Sequence, residues 1–293
     1  MVKVKAPAKI NLFLEVTARR ADGYHDLATL FARIGLCDEL SFRKTAAAGI
    51  KLKTSGGAIG LKDQADNIVY KAAAEFFRVF GLCPAVEITL KKNIPVGAGL
   101  GGGSSDAAAA LLGLAKLYRL PKAAGAKLLK IAAGLGSDVP FFMLEAGAAE
   151  GAGRGEKLKE IEFSGRLPHI VLVYPGVPVY TREVYGRLKL GDSAAIKRRL
   201  ADFKKLLGLL RRGEFTRGRA ALLFNRLEDP VLPAHKAVRL AKERLAGAGA
   251  EAVLMSGSGA SVFGLCWEKA KARRVADALK SIRGYRIFLT NFC

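Results

Sequence analysis

The sequence predicts an α+β fold in two parts, and three observations predict it. Period-2 alternation at residues 9–17 and 86–90 marks strands, while helical spacing and Ala-rich runs around them mark helices. A change of composition at Gly151, Gly153 and Gly155 then separates an N-terminal part, about 1–155, from a C-terminal part, about 156–293. With 293 residues, 51% of them hydrophobic and 25% charged, the chain can bury a substantial core in either part and is too apolar to be disordered.

Each element follows in order. Residues 9–17 put Ile10, Leu12, Leu14 and Val16 on one face of a strand and Lys9, Asn11, Phe13 and Glu15 on the other, so the polar groups of Lys9 and Asn11 point the same way. Asp66 or Asn67 can cap a helix running to about Phe80, and Val86, Ile88 and Leu90 alternate in a following strand. A Gly-rich loop leads into an Ala-rich helix from about Ser104 to Tyr118. Beyond the glycine break, residues 169–174 read as a strand and three helical stretches follow. Residues 252–266 read as a strand pair interrupted by Ser256-Gly257-Ser258-Gly259; a helix from Glu268 and a strand over 285–290 close the chain.

Composition excludes several classes. No run reaches the roughly 18 uninterrupted apolar residues of a membrane-spanning helix. The longest uncharged stretch, residues 252–267, is broken at its centre by Gly and Ser. The N-terminal MVKVKAPAKINLFLEV has a Pro and a Lys where a signal peptide needs a continuous apolar segment, so no export signal is expected. Cys37, Cys83, Cys266 and Cys293 lie far apart with no Cys-x-x-Cys pair. That spacing argues against a zinc site and a disulfide framework, and makes a cytoplasmic location the expectation.

The charge is strongly basic: 48 Lys and Arg against 26 Asp and Glu, a formal net charge of +22, with +8 in residues 1–155 and +14 in 156–293. Nine basic residues between positions 197 and 219 face only Asp202 and Glu214. This segment is either a polyanion-binding surface or the solvated face of a helix whose Leu200, Phe203, Leu206, Leu207 and Leu210 recur at helical spacing. The absence of aromatic residues alternating with the charges favours the solvated face.

The strongest chemical signal is Pro95-Val96-Gly97-Ala98-Gly99-Leu100-Gly101-Gly102-Gly103-Ser104-Ser105-Asp106. Five glycines within seven residues let the backbone turn its N–H groups inward, and the loop opens onto a helix start, where unsatisfied donors and a partial positive charge favour phosphate. The hydroxyl of Ser104 or Ser105 could cap the helix or reach a phosphate-bound Mg²⁺. A Walker loop would end in Gly-Lys-Ser/Thr, which is absent here. The alternative is a flexible linker or a capping turn.

The same segment resembles the Pro-x-x-x-Gly-Leu-Gly-Ser-Ser-Ala signature of the superfamily of small-molecule kinases that includes galactokinase, homoserine kinase, mevalonate kinase and phosphomevalonate kinase. Pro7-Ala8-Lys9-Ile10-Asn11-Leu12 and Arg20-Ala21-Asp22-Gly23-Tyr24-His25-Asp26-Leu27 resemble the branch that phosphorylates 4-diphosphocytidyl-2-C-methyl-D-erythritol, on the methylerythritol phosphate route to isoprenoids. Gly136-Ser137-Asp138-Val139-Pro140-Phe141-Phe142 and Met255-Ser256-Gly257-Ser258-Gly259 agree, in the same order along the chain. Ala18 and Ala260 depart from that pattern, the first standing where Gly is frequent and the second where Pro or Gly is.

The resemblance implies a nucleotide-binding α/β domain followed by a C-terminal domain with helices on an antiparallel sheet, using ATP and Mg²⁺. It implies that Asp138 is the general base and Lys9 the active-site cation, although Asp138 could instead cap the turn before Pro140. It implies nucleotide contacts from residues 95–105, Asn67 and Lys92, with a helix cap at Asn67 and a solvated Lys92 as the alternatives. It implies cytidine contacts from Asn11, Tyr24, His25, Thr181 and Tyr185, with Tyr24 and Tyr185 stacking on the base; a turn at Tyr24 and a core Tyr185 are the alternatives. A small-molecule substrate, with neither nucleic acid nor membrane as partner, is the expectation. Another small-alcohol kinase and a basic nucleic-acid-binding module are the competing readings.

Overall fold

The structure, a computed structural model, describes residues 1–56 and 64–293. The elements run β1 (Val2–Arg19), β2 (His25–Lys44), β3 (Gly49–Ser55), α1 (Ile68–Phe80), β4 (Ala85–Lys91), α2 (Gly102–Leu117), α3 (Gly125–Leu135), β5 (Ala148–Gly153) and β6 (Lys157–Ile161). They continue with β7 (His169–Tyr174), α4 (Thr181–Arg187), α5 (Ser193–Arg212), β8 (Phe224–Asn225), α6 (Glu228–Ala234), α7 (Lys236–Gly247), β9 (Ala252–Met255), β10 (Val262–Cys266), α8 (Lys269–Leu279) and β11 (Arg286–Thr290). No helix among the described residues is long and apolar enough to cross a membrane.

The chain forms two compact units: Met1–Ala8, Leu36–Val96 and Gly101–Glu145 make the first; Lys9–Gly35, Gly97–Leu100 and Ala146–Cys293 make the second. In the first, β3 pairs parallel with β4, and β4 pairs antiparallel with the C-terminal half of β2, Phe42 opposite Ile88 and Leu40 opposite Leu90. Helices α1, α2 and α3 pack on one another. In α1, Val69, Ala72, Ala73, Phe76 and Phe77 are buried, the stripe of a helix apolar on one side. Each such Phe or Val contributes about 1.5–3 kcal/mol relative to exposure. Asn67 starts the helix by accepting the Val69 N–H. In α2 small residues permit close approach: a Cβ on Gly113 would lie 2.2 Å from the Phe42 ring. Glycine inside a helix costs about 0.5–1 kcal/mol against alanine, and the ring packed in that space offsets it.

In the second unit, β1 from Lys9 onward is buried through Val16. The alternation at 9–17 reads as a strand with an apolar and a more polar face, and the side chains of both faces are covered. Leu14 and Val16 join the core that includes Val171, Val262 and Leu245, while Phe13 stacks on Phe203 of α5 at 4.6 Å between centroids. Strand β5 pairs antiparallel with the N-terminal half of β2 and with β6. Gly151, Gly153 and Gly155 therefore belong to this hairpin and its turn; the helix-breaking composition near residue 155 is that of a reversal between paired strands.

Strands β11, β7, β10 and β9, in that order, form an antiparallel sheet packed against α7 and α8. This is the helices-on-antiparallel-sheet arrangement expected of the C-terminal part. Between β7 and β9 four helices form where three were expected. One helical stretch is split at His235, whose φ of −121° and ψ of 84° leave the helical region two residues after Pro233.

Candidate active site

Lys9 is 5% exposed, and a cation so buried needs partners. Its Nζ donates to Asn11 Oδ1 at 2.8 Å, Asn11 Nδ2 donates to Thr29 Oγ1 at 2.8 Å, and Thr29 Oγ1 donates to the Phe13 carbonyl at 2.8 Å. The ammonium also lies 5.3 Å from the centre of the Phe31 ring. The shared face of Lys9 and Asn11 is thus a fixed chain of hydrogen bonds that holds one charge in one place. Both ends of the Asn11 amide are engaged in it, so Asn11 acts on Lys9 in the first instance.

The backbone of residues 97–100 is held from several sides. The Lys9 N–H donates to the Leu100 carbonyl at 2.9 Å, the Ser261 N–H to that of Ala98 at 3.1 Å, and the Val179 N–H to that of Gly97 at 3.2 Å. Ser256 Oγ donates to the Gly99 carbonyl at 3.0 Å. Gly99, at φ +73°, approaches so closely that a Cβ there would lie 2.2 Å from the Ser256 carbonyl oxygen. Residues 97–100 are therefore packed on the second glycine motif, residues 255–259. Buried Asn225 supports the second, donating to the Met255 and Gly257 carbonyls at 2.8 Å each.

The loop ends at Gly101 in the left-handed conformation, and α2 starts there without a side-chain cap. The N–H groups of its first turn keep the capacity to bind an anion. Val96 is exposed, whereas Pro95, Ala98 and Leu100 are buried. Ser105 is buried, its hydroxyl enclosed without a protein partner, so Ser104, only half-buried on the first turn, is the accessible hydroxyl of the pair. Asn67 is 6% exposed with its oxygen on the Val69 N–H, which is the capping alternative. Lys92 is not solvated. It is 7% exposed and ion-paired with Asp38 and, at 2.7 Å, with Asp106.

Asp138 is half-buried just before the 3₁₀ turn Pro140–Met143. Val139 occupies the N-cap position of that turn and no side chain caps it, so Asp138 is not the cap its sequence context allowed.

Among the residues expected to take the cytidine, His25 and Tyr185 face each other with ring centroids 5.0 Å apart. Burial, with Arg19 nearby, holds the His25 imidazole below its ordinary value, which favours the neutral ring. Tyr24, 55% exposed, carries the Arg154 guanidinium over its ring at 4.8 Å. The Tyr24 backbone N–H binds Asp22 Oδ1, and Arg20 ties Asp22 and Asp26 together. Thr181 Oγ1 lies 2.8 Å from Ser258 Oγ, which joins α4 to the second glycine motif. Tyr185 packs in part against the core of its unit. The pairs formed are thus His25 with Tyr185 and Tyr24 with Arg154.

Sequence patterns did not single out Thr29, Asn225 or Asp38, all buried. Each lies in or beside an apolar run: Thr29 among Leu27, Ala28, Leu30 and Phe31, Asn225 after Leu222, Leu223 and Phe224, and Asp38 after Leu36 and Cys37. That is a weak signal, because only the fold shows what it holds.

Comparisons with known proteins place the chain in a family. The model of the GHMP kinases N terminal domain matches residues 67–146 and that of GHMP kinases C terminal matches 193–285, which defines the class as a small-molecule kinase. The 4-diphosphocytidyl-2-C-methyl-D-erythritol kinase of Syntrophus aciditrophicus (strain SB) is 40% identical over 291 residues, 98% of each chain. That of Moorella thermoacetica is 41% identical, covering 96% of this chain and 95% of the relative. A crystal structure of 4-(cytidine 5'-diphospho)-2C-methyl-D-erythritol kinase superposes with a TM-score of 0.78 at 36% identity, covering 99% of both chains. Homoserine kinase from Cytophaga hutchinsonii, at 19% identity and a TM-score of 0.73 over 99% of this chain and 94% of its own, shares the fold. The chain belongs to the 4-diphosphocytidyl-2-C-methyl-D-erythritol kinase family.

Proposed function

We propose a division of labour among these residues for the activity of the family, the ATP-dependent phosphorylation of 4-diphosphocytidyl-2-C-methyl-D-erythritol on its 2-hydroxyl. Phosphoryl transfer asks little covalent chemistry of a protein: it needs the hydroxyl in line with the γ-phosphate and the developing charge neutralised. The observation that carries the assignment is the uncapped start of α2 behind the left-handed Gly101. Its N–H groups receive the nucleotide phosphates, with residues 95–105 forming the cradle.

Asp138 accepts the proton of the attacking hydroxyl, and Lys9, fixed by Asn11 and Thr29, stabilises charge on the transferring group. Tyr185 and neutral His25 take the cytosine, Tyr185 by its ring face and His25 by hydrogen bonding to the base edge. Tyr24, with Arg154 on its ring, and Thr181 line the same substrate. Asn67 and Lys92 serve the nucleotide from their buried positions.

Mg²⁺ supplies charge neutralisation on the phosphates when bound. When nucleotide is bound, the half-buried Ser104 hydroxyl on the first turn of α2 is the protein group that would hold the ion. The four free thiols support a cytoplasmic location, and no nucleic-acid partner enters this reading.

Coupled ADP release measured side by side with the diphosphocytidyl alcohol, homoserine and mevalonate tests the assignment. Turnover confined to the first is expected; preference for either of the others would make the chain a different small-alcohol kinase.

A further inference from the structure

We propose that Asp38 is a positioning residue for the nucleotide loop, holding the segment before the loop and, through Lys92, the first turns of α2 behind it. The proposal rests on the reading of residues 95–105 as the phosphate cradle. Asp38 is 0% exposed, on the C-terminal half of β2. Its Oδ1 accepts the N–H groups of Asn93 at 2.5 Å and Ile94 at 2.8 Å, the residues directly before Pro95. Its Oδ2 accepts from Lys92 Nζ. Asn93 Nδ2 adds a bond to the Cys37 carbonyl at 2.8 Å, so the segment is held along its length to one strand.

Lys92 carries the restraint across the loop. Its Nζ donates to Asp106 Oδ2 at 2.7 Å, on α2. A Cβ on Gly102, the first residue of that helix, would lie 3.0 Å from Ile94 and 3.3 Å from Lys92 Nζ. The ion cluster therefore abuts the helix start that faces the phosphates, and both flanks of the loop are tied to one buried carboxylate.

The two carboxylates are not equivalent. Asp38 is satisfied on both oxygens, whereas Asp106 Oδ1 is buried without a protein partner. Burial, reinforced by Asp38 and opposed by Lys92, pushes the Asp106 carboxyl up to about 7. Asp38 is thus the anchor, and Asp106 the more weakly held end.

A prealigned loop saves the ordering cost of binding, so its loss falls on nucleotide affinity. Asp38→Asn keeps the side-chain shape and an acceptor while removing the charge that faces Lys92. It is expected to raise KM for ATP by about 10-fold or more, with KM for the diphosphocytidyl alcohol within about 2-fold. Asp106→Asn, which leaves the Asp38 bonds to Asn93 and Ile94 in place, is expected to raise KM for ATP by less. A purely structural role would lower Tm and the active fraction while leaving both KM values alone, and that result overturns the proposal.

If Asp38→Asn does not fold, Asp106→Asn decides: an unchanged KM for ATP overturns the proposal and a several-fold rise supports it. Gly101→Val, which strikes the cradle directly, separates the two levels of the argument. Unchanged ATP affinity in that variant removes the cradle reading itself. Weakened affinity there together with a normal Asp38→Asn enzyme removes only the role of Asp38.

Discussion

At the scale of single residues, the proposed site rests on an immobilised charge. Lys9 is held by Asn11 and Thr29 in a buried strand, where water cannot screen its ammonium as it would at the surface. Asp138, which does not occupy the cap position of its turn, is the acceptor we propose for the substrate proton. Asp138→Asn is expected to fold with an unchanged Tm and to lose about 10²–10⁴-fold in kcat with little change in either KM, because the amide cannot take the proton. A variant with near wild-type kcat would remove Asp138 from that role.

Tyr185 gives a second test at this scale. Tyr185→Ala is expected to raise KM for the diphosphocytidyl alcohol by roughly 5-fold to 150-fold, the equivalent of about 1–3 kcal/mol of base stacking, while KM for ATP stays level. Tyr185→Phe keeps the ring and should be nearly silent. A lowered Tm with unaltered KM in the Ala variant would make Tyr185 a packing residue, since it already leans on the core of its unit.

At the scale of elements, the sequence was legible wherever a local rule decides the structure. The Asn67 cap, the strand over 169–174, the strand pair around Ser256-Gly257-Ser258-Gly259 and the glycine-opened helix α2 all follow from spacing and capping. Periodicity could not show that β1 is covered on both faces, or that Lys92 is buried between carboxylates, because those outcomes depend on distant partners. The basic segment shows the same division. In α5, Phe203, Leu206, Leu207 and Leu210 are buried, Leu200 is half-buried, and Lys197, Arg198, Lys204, Lys205, Arg211 and Arg212 are exposed, as a solvated face requires. Replacing Lys197, Arg198 and Arg199 with Glu is therefore expected to leave kcat/KM within a few-fold. A large loss, or salt-sensitive nucleic-acid binding by the wild type, would make that face functional.

At the scale of the whole molecule, the four motifs read in order along the sequence carry more than any one of them, and relatives of about 40% identity span nearly the entire chain. What no motif revealed is how the glycine segments are supported: Asn225 beneath one, and Asp38 with Lys92 and Asp106 flanking the other. These polar residues lie far apart in sequence, and their meaning appears only when the segments that carry them meet. The central claim, transfer of the γ-phosphoryl group to the 2-hydroxyl of the diphosphocytidyl alcohol, is tested most directly by phosphorus NMR of the product. Carbon 2 bears a methyl group and no hydrogen, so a new phosphate resonance without three-bond coupling to a proton is the expected result; a new resonance split by a neighbouring C–H, or no new phosphate ester at all, would contradict it.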